Sequence, residues 1–309
     1  MKLHYFISKR GNFGDDLNSW IWDNLIPGWQ EWDHDVTLLG VGTLINDRAF
    51  AEHGHKRILT LGTGVGYGDD IVQSSIPSRW DFASVRGRRS ARQLGLDETR
   101  GLVDPAVLVA DFPEFQDLRK SKFPVFIPHH VSVARHNWAK VCDKYGVKYV
   151  SPELNSVEVI KEIASAPLVI AESMHAAIIA DSFRVPWIPI RINPKFNADK
   201  WIDVFESLGL DVDIPYLFPQ VEQLANRYAQ PRLRRYQRRI RVVCESFVID
   251  QAFEEALQIT PFLGNSKRLA VRKAAYLEVL KDAQAKYARH DTPSFASFHI
   301  SIAHLYLRF

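Results

Sequence analysis

The sequence predicts an α/β protein made of two Rossmann-like halves that face each other, followed by a helical C-terminal extension. Short apolar runs alternate with helix-like segments from the N-terminus, and a second set of the same kind begins near residue 125. Strands that alternate with helices are typical of a parallel sheet covered on both faces. From about Leu217 onward helix-like segments dominate with little strand character, and this change predicts the extension.

In the first half, predicted as residues 1–120, helix-like segments such as GDDLNSWIWDNLI separate the strands. The strands are predicted at KLHYFIS, VTLLG, RILTLG and DFASVRG. The polar, proline-flanked segment DFPEFQDLRKSKFP then reads as a linker between domains. Ligands of such sheets bind beyond the carboxyl ends of the strands, so the residues that follow each strand are the candidates for a site.

The second half, predicted as residues 121–216, repeats the alternation. Its strands are predicted at VFIPHH, VKYVSP, LVIA and VPWIPI. The segment NSVEVIKEIASA is a helix with Asn155 or Ser156 as its N-cap and Glu158 in its first turn. Residues 217–309 form the predicted extension.

Composition indicates a soluble globular protein, with 309 residues, 46% of them hydrophobic and 24% charged. No run reaches the roughly 18 to 20 apolar residues of a membrane span, and MKLHYFISKR lacks the apolar core of a signal peptide. We therefore expect a cytoplasmic protein. Cys142 and Cys244 provide neither a disulfide framework nor a zinc spacing, and the net charge of +3 gives no nucleic-acid signature.

Two features of the sequence have alternative interpretations. Trp20, Trp22, Trp29 and Trp32 build either a sugar-binding platform or part of the core, and packing is the favoured interpretation. The segment RLRRYQRRIR is either a solvated helix or a helix attracted to an anionic membrane surface. Its six arginines are at positions 232, 234, 235, 238, 239 and 241.

Glycine turns and paired charges follow the strands of the first half. The stretches LGVGT and LGTGVGYG lack a clean G-x-G-x-x-G, so they indicate either a phosphate-binding loop or close packing of strand and helix. In NFGDDLN, Asp15 or Asp16 can cap a helix, and the second carboxylate is free to bind a hydroxyl or orient a base. Arg86 lies at a strand end and is suited to clamp an anion. Arg88 and Arg89 fit surface salt bridges better.

Histidines follow two strands of the second half. His129 and His130 end one strand, where alternation directs one toward the ligand side and the other into the protein, so no metal site is predicted. In LVIAESMHAAIIADSF, Ser173 can cap a helix and His175 falls in its first turn. A helix N-terminus attracts anions and favours a neutral imidazole that acts as a base.

These pieces, in this order, resemble the polysaccharide pyruvyl transferase family, in particular its branch that forms pyruvate ketals on exopolysaccharides. The motifs are NFGDDLN, LGVGTLIND, VRGRRSARQLGL, VDPAVL and AESMHAAIIADSFRVPWIPI, within roughly residues 1 to 195. The resemblance implies a glycosyltransferase-B-like pair of Rossmann domains. It also implies phosphoenolpyruvate as donor, no further cofactor, and two hydroxyls of an exopolysaccharide or lipid-linked sugar as acceptor.

The resemblance also implies roles for single residues. Asp15 matches the aspartate of the N-x-G-D motif, Arg86 the arginine that holds the donor, and His175 the catalytic histidine. The predicted catalytic residues are His175 with Glu172 or Asp15 as its orienting partner. The predicted substrate-binding residues are Asn12, Arg86, Arg88, His129, His130, Ser173 and Arg191.

The sequence departs from the family pattern before the histidine. Many members carry an arginine two residues earlier, in an S-R-L-H pattern, and here Ser173 occupies that place between Glu172 and Met174. Arg191 or Arg88 is expected to supply the missing anion ligand, and the sequence does not choose between them.

The implied reaction forms a cyclic ketal. Protonation of the enol carbon makes the ketal carbon electrophilic, a sugar hydroxyl attacks as a base takes its proton, and phosphate leaves. A second hydroxyl of the same sugar closes the ring. The alternatives are a glycosyltransferase that uses a nucleotide sugar, and a non-catalytic carbohydrate-binding protein. If the acceptor is lipid-linked, the arginine-rich helix is expected to contact the inner membrane leaflet.

Overall fold

The computed structural model describes residues 1–68, 70–194, 196–211, 214–215, 217–218, 221 and 234–288, without the side chains of residues 234 and 235. The strands form two four-stranded sheets, with the orders β1-β2-β3-β4 and β6-β5-β7-β8, and neighbouring strands in each are parallel. The predicted mixed α/β fold with two parallel sheets is confirmed. The strands are β1 Lys2–His4, β2 Val36–Leu39, β3 Arg57–Leu61, β4 Trp80–Ser84, β5 Val125–Ile127, β6 Lys148–Tyr149, β7 Val169–Ala171 and β8 Trp187–Pro189.

Helices follow most strands, as the alternation of the sequence predicts. The α-helices of the described residues are α1 Phe13–Asp16, α2 Ile21–Leu25, α3 Asp47–His53, α4 Arg88–Gln93, α5 Trp138–Asp143, α6 Ser156–Ser165, α7 Met174–Ser182, α8 Ala198–Leu208, α9 Arg234–Leu257 and α10 Ser266–Tyr287. The N-cap of α6 is Asn155, whose side chain accepts a hydrogen bond from the Val157 N–H at 2.9 Å, and Glu158 lies in the first turn as predicted.

The chain divides into two compact units, each built around one sheet. The first contains the described residues of Met1–Asp117, α8 and the described residues from Gly264 onward; the second contains the described residues of Leu118–Phe196 and those between Ile214 and Leu263. The first boundary falls inside the predicted linker. The predicted extension, residues 217–309, is divided in its described part, because α9 packs in the second unit and α10 in the first. Arg232 of the predicted basic helix lies outside the described residues.

In the first unit, α10 is fixed to the sheet by hydrogen bonds. The Tyr276 hydroxyl donates to the Leu61 carbonyl at 3.1 Å, and Lys286 and Tyr287 each donate to the Asp81 carboxylate of β4 at 2.7 Å. Burial acts to raise the pKa of Asp81, but the hydrogen bonds from Lys286 and Tyr287 outweigh it and hold that pKa below its ordinary value. The end of α10 is therefore an integral part of the first unit.

In the second unit, α9 covers the core beside β5. Phe253 packs edge-on against Phe126, with ring centroids 5.4 Å apart, and Trp138 contacts the same ring. Glu245 is fully buried and accepts a hydrogen bond from Arg135 at 2.5 Å. The C-terminal half of α9 thus completes the apolar core of this unit.

The tryptophans near the N-terminus are mostly core residues. Trp22, Trp29 and Trp32 are buried, which confirms the packing interpretation for them. A Cβ added at Gly40 would lie 1.9 Å from the Trp22 ring, so the absence of a side chain there lets the ring lie on the backbone. Trp20 is half-buried and lies near Phe112, with ring centroids 6.1 Å apart.

Among the described residues, we find no helix that combines the length and the apolar character needed to cross a membrane.

A buried thiol in the second unit gives a test of its core. Burial raises the pKa of Cys142 from an ordinary value near 9 to about 12. The stability that depends on the protonated thiol is therefore present below about pH 9 and is lost as the pH rises toward 12. We expect Cys142→Ala and Cys142→Val to reduce the dependence of unfolding free energy on pH above about pH 9 by up to about 1.4 kcal/mol per pH unit.

Urea unfolding at a series of alkaline pH values measures this effect. The two variants differ in packing but share the loss of the thiol, so an equal reduction in both assigns the slope to Cys142. The wild-type slope in both variants would contradict the prediction.

Candidate functional site

The carboxyl edge of the first sheet begins with the loop after β2. Asn12 donates a hydrogen bond from its side-chain amide to the Asp15 carboxylate. A Cβ added at Gly42 would lie 2.8 Å from an Asp15 oxygen, and the φ of +111° at Gly42 is a conformation that favours glycine. The structure thus places Asn12 and Asp15 beside the loop that follows β2.

Neither aspartate is the N-cap of α1, which corrects the predicted capping role. Asn12 occupies the N-cap position, and the Asp16 carboxylate accepts its backbone N–H at 3.0 Å from the last position of the four-residue helix. Because the helix has only four residues, Asp16 lies about one turn after Asn12, and its carboxylate reaches back to the Asn12 N–H. The Asp15 carboxylate accepts a hydrogen bond from Asn12 and lies beside Gly42. Its predicted catalytic role stays a prediction.

Arg86, two residues beyond β4, is fully buried and joins several loops. Its Nη1 donates to the Thr43 hydroxyl at 2.7 Å, and its Nε donates to Asp203 at 3.2 Å. A Cβ added at Gly64 would lie 2.2 Å from the guanidinium carbon, so Gly64 makes room for this group. The expected arginine open to an anion is instead enclosed and charge-balanced, and donor binding by Arg86 stays a prediction.

Asp203 of α8 is the partner that the sequence analysis missed. Besides Arg86, its carboxylate accepts the backbone N–H of Ser90 at 3.2 Å and the Ser90 hydroxyl at 2.6 Å. A signal was present in the sequence, because Asp203 lies between Trp201 and Val204, which are both buried. A carboxylate in the apolar face of a helix requires a buried partner.

Arg88 and Arg89 lie at the surface of the first unit, where the sequence predicts salt bridges. Arg88 is about half exposed and lies 3.9 Å from Glu98, while Arg89 pairs with Glu206 at 3.0 Å. Arg88 also lines a cavity of about 390 Å³ together with Arg268. Arg88 is therefore exposed at the surface, whereas the guanidinium of Arg86 is enclosed by its loop partners.

The carboxyl edge of the second sheet is organised by Glu172, the first residue after β7. Its side chain is fully buried. One carboxylate oxygen accepts the N–H groups of Ile192 and Asn193, each at 2.7 Å, and the other accepts the N–H of His129 at 3.0 Å. A single side chain therefore ties the loops after β5 and β8 to the end of β7.

The environment of Glu172 has two opposing effects on the pKa of its carboxyl group. Burial raises the pKa of the carboxyl above its ordinary value, and the Ser132 hydroxyl and the backbone N–H groups of His129, Asn193 and Ile192 oppose this shift. These hydrogen bonds direct the carboxylate to the backbone rather than to His175. A role for Glu172 in orienting His175 would then act through the loop positions, and the catalytic role stays a prediction.

Ser173 and His175 lie where β7 passes into α7. Ser173 is the N-cap residue, but its hydroxyl makes no capping hydrogen bond, which differs from the expected cap. Its carbonyl accepts the N–H of Ala176 at 3.1 Å, so the backbone starts the helix. His175 is buried in the first turn of α7, the place predicted from the sequence.

His129 and His130 do not alternate as the sequence suggested, because β5 ends at Ile127 and both residues lie beyond it. Their rings lie side by side, with centroids 4.3 Å apart. His129 is the N-cap of the following 3-10 turn and accepts the Val131 N–H at 3.4 Å. In the second unit His129 thus lies at the same sheet edge as Glu172.

Arg191 lies two residues beyond the end of β8 and is half-buried. Its N–H donates to the Pro215 carbonyl at 3.1 Å, and its own carbonyl accepts the Leu217 N–H at 3.1 Å. The next residue, Ile192, donates to Glu172, so Arg191 lies at the same edge. Of the two candidates for the missing anion ligand, Arg191 belongs to the unit of His175 and Arg88 to the other unit.

The second edge is suited to handle a proton next to an anion. A buried imidazole in the first turn of a helix is placed where the helix dipole and N–H groups attract negative charge. Within the described parts of the chain, no group of three or more histidine, cysteine, aspartate or glutamate residues has the geometry to hold a metal ion.

Comparison with known proteins adds to this geometry. A family model described as polysaccharide pyruvyl transferase matches residues 10–194. The succinoglycan biosynthesis protein ExoV of Rhizobium meliloti (strain 1021) is 44% identical over 210 residues, which are 68% of this chain and 66% of that protein. The match thus spans slightly less than two thirds of that relative. No solved structure matches the chain significantly. The family match includes both sheet edges, while Asp203 lies beyond it.

The buried ion pair of the first unit predicts a large loss of stability when one charge is removed. We expect Asp203→Ala to lower the free energy of unfolding by about 3–5 kcal/mol, because Arg86 is then buried without a counter-charge. Asp199→Ala is the matched control on α8. Its exposed carboxylate lies 3.3 Å from Arg89, and its removal is expected to cost less than about 1 kcal/mol. Equal losses in urea unfolding would contradict the assignment.

The hydrogen bonds between the Glu172 carboxylate and the two loops predict local opening of these loops when the carboxylate is replaced by an amide. In Glu172→Gln an amide NH₂ replaces one acceptor and faces backbone N–H donors. We expect faster hydrogen exchange at the amides of His129, Ile192 and Asn193, by about 5- to 100-fold. Glu162→Gln, which alters a pair with Lys148 at the surface of the same unit, is the control and should leave these amides unchanged. Unchanged exchange in Glu172→Gln would show that the Glu172 carboxylate does not hold these loops.

Proposed function

Because this chain belongs to the polysaccharide pyruvyl transferase family, we propose that it transfers the pyruvyl group of phosphoenolpyruvate to a saccharide during exopolysaccharide biosynthesis. The family match covers more than half of the chain, and the name of the similar Rhizobium protein refers to succinoglycan biosynthesis. The product of the proposed reaction is a cyclic pyruvate ketal. No cofactor beyond the donor takes part in it.

The observation that carries this proposal is the position of His175. This imidazole is buried in the first turn of α7, directly after β7, at the edge of a parallel sheet where ligands of such folds bind. It belongs to the residues that the family model matches. Glu172 fixes the junction before it by holding the loops on either side.

The reaction balances with one general acid–base group. A proton adds to the methylene carbon of phosphoenolpyruvate, and the neighbouring carbon becomes electrophilic. One sugar hydroxyl attacks this carbon and gives up its proton, and the bond to phosphate breaks. The second hydroxyl completes the ketal. Of the two hydroxyl protons, one replaces the proton consumed by the methyl group and the other leaves with phosphate. We assign His175 the proton transfers.

Anion binding falls to arginines in this proposal. Arg86 takes the donor-binding role that the family resemblance implies, under the condition that an anion shares the guanidinium with Asp203. Arg191 is our choice for the anion ligand that replaces the arginine absent at position 173, because it lies at the edge where Glu172 and His175 are found. Asn12, Asp15, Ser173, His129 and His130 contact the substrates in this scheme.

The remaining parts of the proposal concern the setting of the reaction. Each four-stranded sheet is one of the two Rossmann-like halves of a glycosyltransferase-B-like fold. The acceptor is a lipid-linked saccharide, and the protein acts in the cytoplasm. Mass spectrometry of the product formed from candidate acceptors tests the reaction most directly, since ketal formation adds the mass of pyruvate less one water.

The central prediction concerns His175. We expect His175→Ala to lower the rate of ketal formation by about 10²- to 10⁴-fold, the usual contribution of a positioned acid–base group. Binding of phosphoenolpyruvate, followed by thermal shift, should persist, because the arginines are intact. The exposed His34→Ala serves as a control for loss of a histidine. Turnover near the wild-type rate in His175→Ala would reject the assignment, and stabilisation by nucleotide sugars instead of phosphoenolpyruvate would reject the donor.

A further inference from the structure

Helix α9 carries a row of exposed apolar side chains. Tyr236, Ile240, Val243 and Phe247 are 61%, 36%, 56% and 84% exposed. They recur at intervals of four, three and four residues, which places them on one face of an α-helix. We refer to these four residues as the α9 stripe.

The stripe is separate from the face of α9 that packs in the core. Glu245 and Ile249 are buried on the side of the helix opposite the stripe, and the buried Phe253 lies about 110° around the helix from it. Phe253 contacts Phe126 of β5, so the core of the second unit is complete on that side. The stripe therefore needs a different apolar partner, because contiguous exposed apolar patches mark interaction sites.

The charges beside the stripe indicate the kind of partner. Arg239 is exposed and lies on the flank of the stripe, about 70° around the helix from its centre, whereas the exposed Arg238 lies on the opposite side. The first acidic residue of α9, Glu245, is turned into the protein and paired with Arg135. The other acidic residues, Asp250, Glu254 and Glu255, follow the last residue of the stripe. The half of α9 that carries the stripe is thus basic at its surface.

An apolar row with an arginine on its flank, in the basic half of the helix, is complementary to an anionic bilayer. Amphipathic helices of this kind lie in the plane of the interface, with aromatic and aliphatic residues in the acyl boundary and basic residues at the headgroups. A second copy of the chain fits less well, since two such faces would bring arginines together. We propose that the N-terminal half of α9 docks on an anionic phospholipid membrane through the α9 stripe, with Arg239 at the headgroups.

Flotation of the full-length protein with vesicles tests this docking without any assay of transfer activity, so it is independent of the proposed function. The probes are vesicles of phosphatidylcholine alone and of phosphatidylcholine with phosphatidylglycerol. We expect the protein to float with the anionic vesicles and to bind neutral ones about tenfold more weakly, because each arginine near the surface adds attraction.

Variants separate the apolar contribution from the electrostatic one. The double variant Val243→Ser and Phe247→Ser should lower partitioning into anionic vesicles by about tenfold or more. The matched control is the double variant Val271→Ser and Phe123→Ser, which removes two other exposed apolar side chains, 69% and 58% exposed. It should bind as the wild type does. Arg239→Gln should reduce the preference for anionic over neutral vesicles, and Arg238→Gln, on the opposite side of the helix, should reduce it less.

Several results would overturn the proposal. These are the absence of flotation in the wild type, equal binding to both kinds of vesicle, and equal losses in the stripe and control variants. Light scattering adds a further check: a wild-type dimer that the stripe variant converts to a monomer would identify a second copy as the partner. Circular dichroism melting verifies that all variants are folded, which is expected because each altered side chain is exposed.

Discussion

A buried carboxylate holds the loops at the carboxyl edge of each sheet. Parallel strands end side by side, and the backbone groups of their loops need partners outside the sheet. In the first unit Asp203 reaches this edge from α8 and pairs with Arg86, which in turn binds the loop after β2. In the second unit Glu172 ends β7 and accepts N–H groups from the loops on both sides. The geometry of both candidate edges depends on these two side chains.

The two carboxylates are stabilised by different partners, and this difference decides what each edge can do. Asp203 is balanced by a guanidinium, so the first edge holds a charge pair in which Arg86 is already neutralised. Glu172 has neutral N–H partners, and burial raises its pKa. Its hydrogen bonds to backbone N–H groups fix the loops after β5 and β8 beside the end of β7.

Features that depend on neighbouring residues were predictable from the sequence. Alternating segments gave the two parallel sheets, Asn155 caps its helix, and His175 lies in the first turn after β7. Features that depend on distant contacts were not. Asp203 is 117 residues from Arg86, and no local pattern connects them. The rule of strand alternation failed for His129 and His130, because β5 ends before them. Arg86 was expected at an open edge, since burial of a charge requires a partner that only the fold supplies.

The surface of α9 could not be predicted from the sequence either, but for a different reason. The arginines of α9 are spread around the helix, and apolar residues lie on two opposite faces, so no single polar or apolar face stands out in the sequence. Packing separates these faces: Phe253 and Ile249 enter the core, while Phe247 and Val243 remain exposed. A helix that has already completed its core on one side gains no folding stability from a second apolar row in water. Among the described residues nothing covers the second row, and the proposed membrane surface would cover it. Because α9 belongs to the unit of Glu172 and His175, the proposed docking of α9 would bring this unit to the membrane, as the proposed lipid-linked acceptor requires.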